Sequence, residues 1–214
     1  MKILFIDTET TNNIDDPIFY DLGGGVYDTI TQEFNQSFSF VNTDVFCDKE
    51  LMESAYFKDK IPQYWKEIKK GTRTLTSYYN IRKFINLLMK ANNIKYVIAH
   101  NMRFDYRATN VTQRYLTKSR FRFFFPYGTQ FLDTLKLSRK IYKEDINYIK
   151  FCKDNNFLCK NGTPRYTAEI LYKFITNNLD FTEEHTGLQD VLIEKEIFTE
   201  CINRGGTIED ALLW

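Results

Sequence analysis

The sequence predicts an α/β fold, a mixed β-sheet covered by helices, on three observations. Residues 1–41 carry short runs of β-branched and aromatic residues. From about residue 48, apolar side chains recur at three- and four-residue spacing. The helical pattern is then broken by Ile94–Ala99, a largely apolar run suited to a buried central strand. Strands first, then helices alternating with strands, imply a mixed sheet with helical layers. The chain has 214 residues, 43% hydrophobic and 27% charged, which suits a single domain, residues 1–214, with a sizeable core.

The elements follow in order. Lys2–Asp7 reads as a strand, as does Ile18–Tyr27 running through Gly23-Gly24-Gly25, and Phe34–Phe40. Asp28–Thr31 is the hairpin turn joining the last two. The three glycines lack GxGxxG spacing and lead into strand residues, which argues against a phosphate loop. Between Asp48 and Ala91, Leu51, Ala55 and Tyr56 share one helical face, and Ile61, Trp65 and Ile68 share another. Pro62 suits a first helical turn, and Ile81, Phe84, Ile85, Leu88 and Met89 form a third stripe. After Ile94–Ala99 a helix follows Asn101, a strand or turn lies near Arg122–Phe125, and Phe131–Tyr142 reads as helical. Lys160–Pro164 is a turn, and helices are expected at about 166–176 and 187–202.

No apolar run approaches the roughly 20 residues that span a bilayer, and Lys2–Ile6 is too short for a signal peptide. The expectation is a cytoplasmic protein without a membrane partner. Cys47, Cys152, Cys159 and Cys201 show no CxxC pair, and only His100 and His185 supply imidazoles, so a zinc site is not expected. The cysteines are read as buried thiols. Net charge is +1, yet charge is unevenly placed: residues 103–143 are strongly basic and residues 180–200 acidic. A basic middle suits a phosphate backbone, and it equally suits a solvated helix face.

Three segments carry chemistry. In Asp7-Thr8-Glu9-Thr10 the two carboxylates are two residues apart on a strand and so point the same way. Adjacent carboxylates repel unless a cation lies between them, and divalent metals with oxygen ligands provide one; the alternative is a strand ending in ordinary solvated acids. In His100-Asn101-Met102-Arg103-Phe104-Asp105 a strand end passes into a helix start, bringing a third acid to a positive helix terminus. Asn101 there either caps the helix or orients Asp105 and contacts substrate; Phe104 either packs in the core or stacks on a base. In His185-Thr186-Gly187-Leu188-Gln189-Asp190 the spacing of Thr186 and Gln189 is that of a capping box, with Thr186 as N-cap. His185 and Asp190 then approach across the first turn, which is either a surface histidine beside a capped helix or a base set beside a metal ligand.

In this order the three segments resemble the motifs of the DEDDh (DnaQ-like) 3′→5′ exonucleases. The resemblance runs from Asp7 to Asp190 and includes Asp133-Thr134-Leu135, similar to an Asp-Thr pair found between the second and third motifs. Tyr166–Leu171 with His185–Val191 also resembles small exonucleases encoded by bacteriophages. The resemblance implies a ribonuclease H-like fold, a mixed, roughly five-stranded sheet flanked by helices with Asp7 on its first, central strand. It implies that Asp7, Glu9, Asp105 and Asp190 hold two divalent ions, Mg²⁺ with Mn²⁺ able to substitute, and that His185 is the general base. Thr8, Thr10, Asn101 and Phe104 become candidate substrate contacts. The implied activity is hydrolysis of the 3′ end of single-stranded nucleic acid to nucleoside 5′-monophosphates, DNA favoured over RNA. The alternatives are an exoribonuclease of the RNA-maturing or short-oligomer-degrading type and an inactive nucleic-acid-binding module.

Overall fold

In the computed structural model, which describes residues 1–214, β1 (Lys2–Thr11), β2 (Ile18–Asp28) and β3 (Glu33–Asn42) form an antiparallel meander. The chain then runs through α1 (Thr43–Phe46), α2 (Lys49–Glu53), a 3₁₀ turn at Lys58–Lys60 and α3 (Ile61–Lys70). A short β4 (Thr74–Thr76) pairs parallel to β3, and α4 (Tyr78–Ala91) leads to β5 (Tyr96–Ala99). Next come α5 (Met102–Leu116), β6 (Gln130–Asp133), α6 (Thr134–Tyr142), α7 (Ile146–Asp154), α8 (Ala168–Thr176), α9 (Gly187–Asn203) and α10 (Ile208–Ala211). The sheet order is β4-β3-β2-β1-β5-β6, with β5 parallel to β1 and β6 parallel to β5.

The sheet thus has six strands rather than five. Two of the strands, β4 and β6, are not expected from the sequence; β4 is three residues long and sits between helices, where a period-two pattern has no room to register. β6 occupies Gln130–Asp133, so the helix expected from Phe131 begins only at Thr134, and Arg122–Phe125 forms no strand. α2 stops at Glu53, leaving Tyr56 outside the helix and 87% exposed. Cys47 and Cys159 are exposed; only Cys152 and Cys201 are buried thiols. No helix is long and apolar enough to cross a membrane.

β1 is buried on both faces, and its alternation decides where the acids go. Leu4 and Ile6 pack with Ile81, Ile85 and Met102 in the core under α4 and α5. Ile3 and Phe5 pack with Val191, Ile197 and Phe198 in the core under α9. Side chains on a strand alternate between faces, so Asp7 and Glu9 extend the α9 face and Thr8 turns toward α5. Each fully buried Phe, Leu or Ile contributes about 2 kcal/mol, which ties α9 firmly to the strand carrying the acids.

Candidate functional site

The site forms where β1 leaves the core. Glu9 is buried, Asp7 is partly exposed, and a register shift between Glu9 and Thr10 bends the strand. Thr8, on the opposite face, gives both its backbone N–H (3.1 Å) and its hydroxyl (2.8 Å) to Asp105 Oδ1. Asp105 lies in the first turn of α5 and is 2% exposed. Thr8 is therefore a brace that fixes Asp105 against the first motif. Thr10 is partly exposed beside the bulge.

Asn101 occupies the N-cap position of α5 in a left-handed conformation (φ 66°), and its side chain makes no capping bond. Its backbone N–H donates to Asp133 Oδ1 (3.0 Å), which also caps α6 through Leu135 N–H and Lys136 N–H. The exposed Asn101 side chain is thus free to face the site. Phe104 is half-buried and belongs to none of the three core clusters.

α9 approaches β2 with unusual closeness. A Cβ on Gly187 would lie 2.5 Å from Gly23 N, and one on Gly23 would lie 2.0 Å from the Gly187 carbonyl carbon. Glycine at both positions lets the helix start press onto the sheet, which accounts for a residue of poor helix propensity in the first turn. Thr186 is the N-cap, as its spacing predicts, but the capping box does not form: the Thr186 hydroxyl is buried without a partner. Asp21 takes over. Its Oδ2 accepts from Gly187 N–H (3.1 Å), Tyr64 OH (2.7 Å) and Arg73 Nη1 (2.7 Å), a fully buried carboxylate held by one cation and two neutral donors.

This anchoring delivers Asp190 and His185. Ligand atoms of Glu9, His185 and Asp190 lie within 4.8 Å of one another. His185 has φ 50°, stacks on Phe57 with ring centroids 4.5 Å apart, and places Nδ1 3.9 Å from Glu183 Oε2. Burial, then the nearby charge of Lys60, lowers the pKa of His185, which favours the neutral imidazole. Phe57 and Lys60 lie in an irregular stretch with no periodicity to reveal them.

The carboxylates are crowded and under-compensated. Burial first, then the charges of Asp105, Asp190 and Glu9, raises the pKa of Asp7 well above the ordinary range. Burial and Asp190 push Glu9 up to about 9; burial and Glu183 push Asp190 up to about 8. Burial pushes Asp105 up to about 7 despite the opposing Thr8 hydrogen bonds. Asp7 Oδ2 and Asp190 Oδ1 are buried without any hydrogen-bond donor. Hard, like-charged oxygens with unused lone pairs in one place are the ligand set of a divalent cation, and these residues fit one.

A fifth acid escaped the sequence reading. Glu194, 2% exposed, follows Asp190 by four residues on α9 and so lies on the same face, the spacing that could have revealed it. Its Oε1 accepts from His100 N–H (2.8 Å), while Oε2 has no partner. Asp7 and Glu194 line a cavity of about 660 Å³ together with Asn101, Arg139, Arg165 and Tyr166. His100 is structural: Thr134 Oγ1 and the Tyr166 carbonyl hold its ring (both 2.9 Å), and burial drops its pKa to about 4.

No protein-family model matches this chain, nor does any curated protein sequence. Solved structures do resemble it. A full-length 3′-exonuclease aligns with TM-score 0.63 at 13% identity, over 99% of this chain and 89% of that one. The nuclease domain of 3′hExo, a DEDDh family member bound to rAMP, aligns with TM-score 0.62 at 12% identity, over 100% and 96%. Exonuclease I from Methylocaldum szegediense aligns with TM-score 0.57 at 18% identity, over 93% of this chain and 40% of that one. At such identities the likeness is one of fold: this chain has the ribonuclease H-like arrangement of a mixed sheet flanked by helices.

Proposed function

We propose that this chain is a metal-dependent 3′→5′ exonuclease of the DEDDh type, removing nucleoside 5′-monophosphates from the ends of single-stranded nucleic acid. One observation carries the reading: Asp7, Glu9, Asp105 and Asp190 converge beside a neutral histidine, with buried carboxylate oxygens that lack any donor. Nothing structural requires that arrangement. The shared fold with 3′-exonucleases supports it.

In this reading Asp7, Glu9, Asp105 and Asp190 hold divalent ions. When bound, the ions supply Lewis-acid chemistry, neutralising charge that builds on the phosphoryl oxygens. His185 accepts the proton of the attacking water at an imidazole nitrogen, and Phe57 keeps its ring in place. Thr8 holds Asp105 at its post. Asp21 fixes the start of α9, and with it the distance from His185 to Glu9. Asn101, which lines the cavity with Asp7, contacts the terminal nucleotide in this reading, and Phe104 is its candidate stacking partner. An inactive binding module would be expected to lack one of these five groups, and all are present.

DNA is the favoured substrate, by the similarity of the third-motif region to small bacteriophage exonucleases. RNA is the second reading, favoured by the rAMP held by one structural relative. The motifs do not separate them, because that choice lies in contacts to the 2′ position. The test uses 5′-labelled single-stranded DNA and RNA of one sequence, with Mg²⁺, Mn²⁺ or chelator, and wild type beside Asp190→Ala. A metal-dependent ladder shortening from the 3′ end, absent in the variant, is expected. Products cut internally, or cleavage that persists in chelator, would overturn the reading.

A further inference from the structure

Away from the acid cluster, the opposite side of α5 and the 117–129 segment form an exposed surface that the chemistry leaves unused. Arg103, Arg107 and Arg114 line one groove of α5 together with Phe123 and Trp214, enclosing about 370 Å³. A second cavity of about 700 Å³ shares Tyr106, Asn110 and Phe123 with it and adds Phe121 and Tyr127, so the two are continuous. From Arg103, two residues before Asp105, to Arg114 the helix covers about 16 Å.

The 117–129 segment is held firmly from behind. Phe124 and Phe125 are buried in the core. Asn110 Oδ1 accepts from Phe124 N–H (2.9 Å), Gln113 Nε2 donates to the Phe121 carbonyl (2.9 Å), and Arg82 donates to the Phe124 carbonyl (3.2 Å). On this pinned backbone Phe121, Phe123 and Tyr127 stand 76%, 59% and 108% exposed. Large aromatic side chains left in water forgo the burial that would stabilise the fold, and clustered exposure marks a binding surface.

The charge around them is of one sign. Arg103, Arg114, Lys118, Arg120 and Arg122 make no ion pair, while Arg107 pairs with the exposed Asp15 at 3.8 Å and donates to the Ile14 carbonyl (3.2 Å). Unpaired guanidinium groups interleaved with outward aromatic rings fit a ligand with a phosphate backbone and accessible base faces. A duplex would hide those faces. We infer that this groove is a track for single-stranded nucleic acid, holding the strand upstream of the 3′ end on phosphate contacts to α5 and on base stacking against Phe121, Phe123 and Tyr127. The inference rests on the proposed exonuclease reading for its direction, since the groove starts on the outer face of the same end of α5 whose inner face carries Asp105.

The test is binding in chelator, where no turnover occurs. Fluorescence anisotropy would follow a dye-labelled single-stranded oligodeoxynucleotide against wild type, Arg114→Ala and the double variant Phe121→Ala/Phe123→Ala, with circular dichroism confirming the fold. Stacking contacts of this kind predict an affinity loss of about tenfold or more for the double variant. Arg114→Ala should reduce the slope of log affinity against log salt by about 0.7. Unchanged affinity and slope in both folded variants, or no binding by wild type, would overturn the track and leave the surface to a protein partner. Hydrolysis of a mononucleotide p-nitrophenyl ester by wild type reports separately on the catalytic reading, because that substrate is too small to reach the groove.

Discussion

Removing metal and raising the pH should destabilise this protein steeply, because the site acids hold protons in the folded state that they lose in the unfolded chain. Burial holds Asp105 at about 7 despite the hydrogen bonds from Thr8, against an ordinary carboxyl value of 3.8. At roughly 1.4 kcal/mol per pH unit, ionising this one group in the metal-free fold costs about 4 kcal/mol. That is a large share of the ~5–15 kcal/mol that holds a typical domain together. The sign follows from the direction of the shift. A carboxyl whose folded pKa is raised favours the fold below its unfolded value and loses that contribution as pH climbs through its folded value. The loss should therefore begin near pH 4, pass through about 7 for Asp105, and extend through about 8 for Asp190 and about 9 for Glu9. Urea denaturation midpoints in chelator should fall between about pH 5 and pH 8, and Mg²⁺ should restore most of the loss. Asp7→Asn, one charge fewer in the cluster, should flatten the fall. Midpoints that stay level or rise with pH in chelator, or a fall that Mg²⁺ leaves untouched, would refute the reasoning.

Three further outcomes follow from the same geometry. Because the pKa of His185 is lowered, turnover should persist below the ordinary histidine value and fall only in more acidic solution; a pH–rate profile checks this, and His185→Ala should lose about 100-fold or more in kcat. Glu194→Gln keeps the acceptor for His100 N–H and removes a carboxyl that burial raises well above the ordinary range and that ionises on unfolding, so it should raise the metal-free urea midpoint above pH 7 while weakening Mg²⁺ activation. Gly187→Ala places a methyl carbon 2.5 Å from Gly23 N, which α9 can relieve only by lifting off β2. It should cost about 1–3 kcal/mol in denaturation and lower kcat with it, whereas a surface Ala substitution on α9 should do neither.

Much of the site was legible in the sequence because it is built from local relations. Asp7 and Glu9 share a face by strand alternation, and His185 and Asp190 meet across one helical turn; both juxtapositions follow from backbone geometry alone. What was not legible depends on contacts between distant segments. Asp21 sits among β2 residues with no sign that it faces the start of α9, 166 residues away. The capping box at Thr186 does not form either: Gln189 N–H bonds the Thr186 carbonyl, and the helix start is held by a tertiary carboxylate on Gly187 N–H instead. Phe57 stacks on His185 from a stretch without periodicity. In the fold, β6 was missed because Gln130–Asp133 is a four-residue run directly joined to a helix, too short for its period to separate from the pattern that follows. Glu194 was within reach, one turn beyond Asp190, and only its burial distinguishes it from an ordinary exposed helix acid.

The most direct measurement is a calorimetric titration of chelator-stripped protein with Mn²⁺, comparing wild type with Asp190→Asn and with the remote control Asp154→Asn. Saturable binding by wild type and by the control, sharply weakened in Asp190→Asn, is the expected result, since Asp190 and Glu9 bring ligand oxygens within 4.8 Å of each other. Absence of binding at millimolar Mn²⁺, or binding that Asp190→Asn leaves unchanged, would contradict the assignment of the acid cluster as a metal-holding nuclease site.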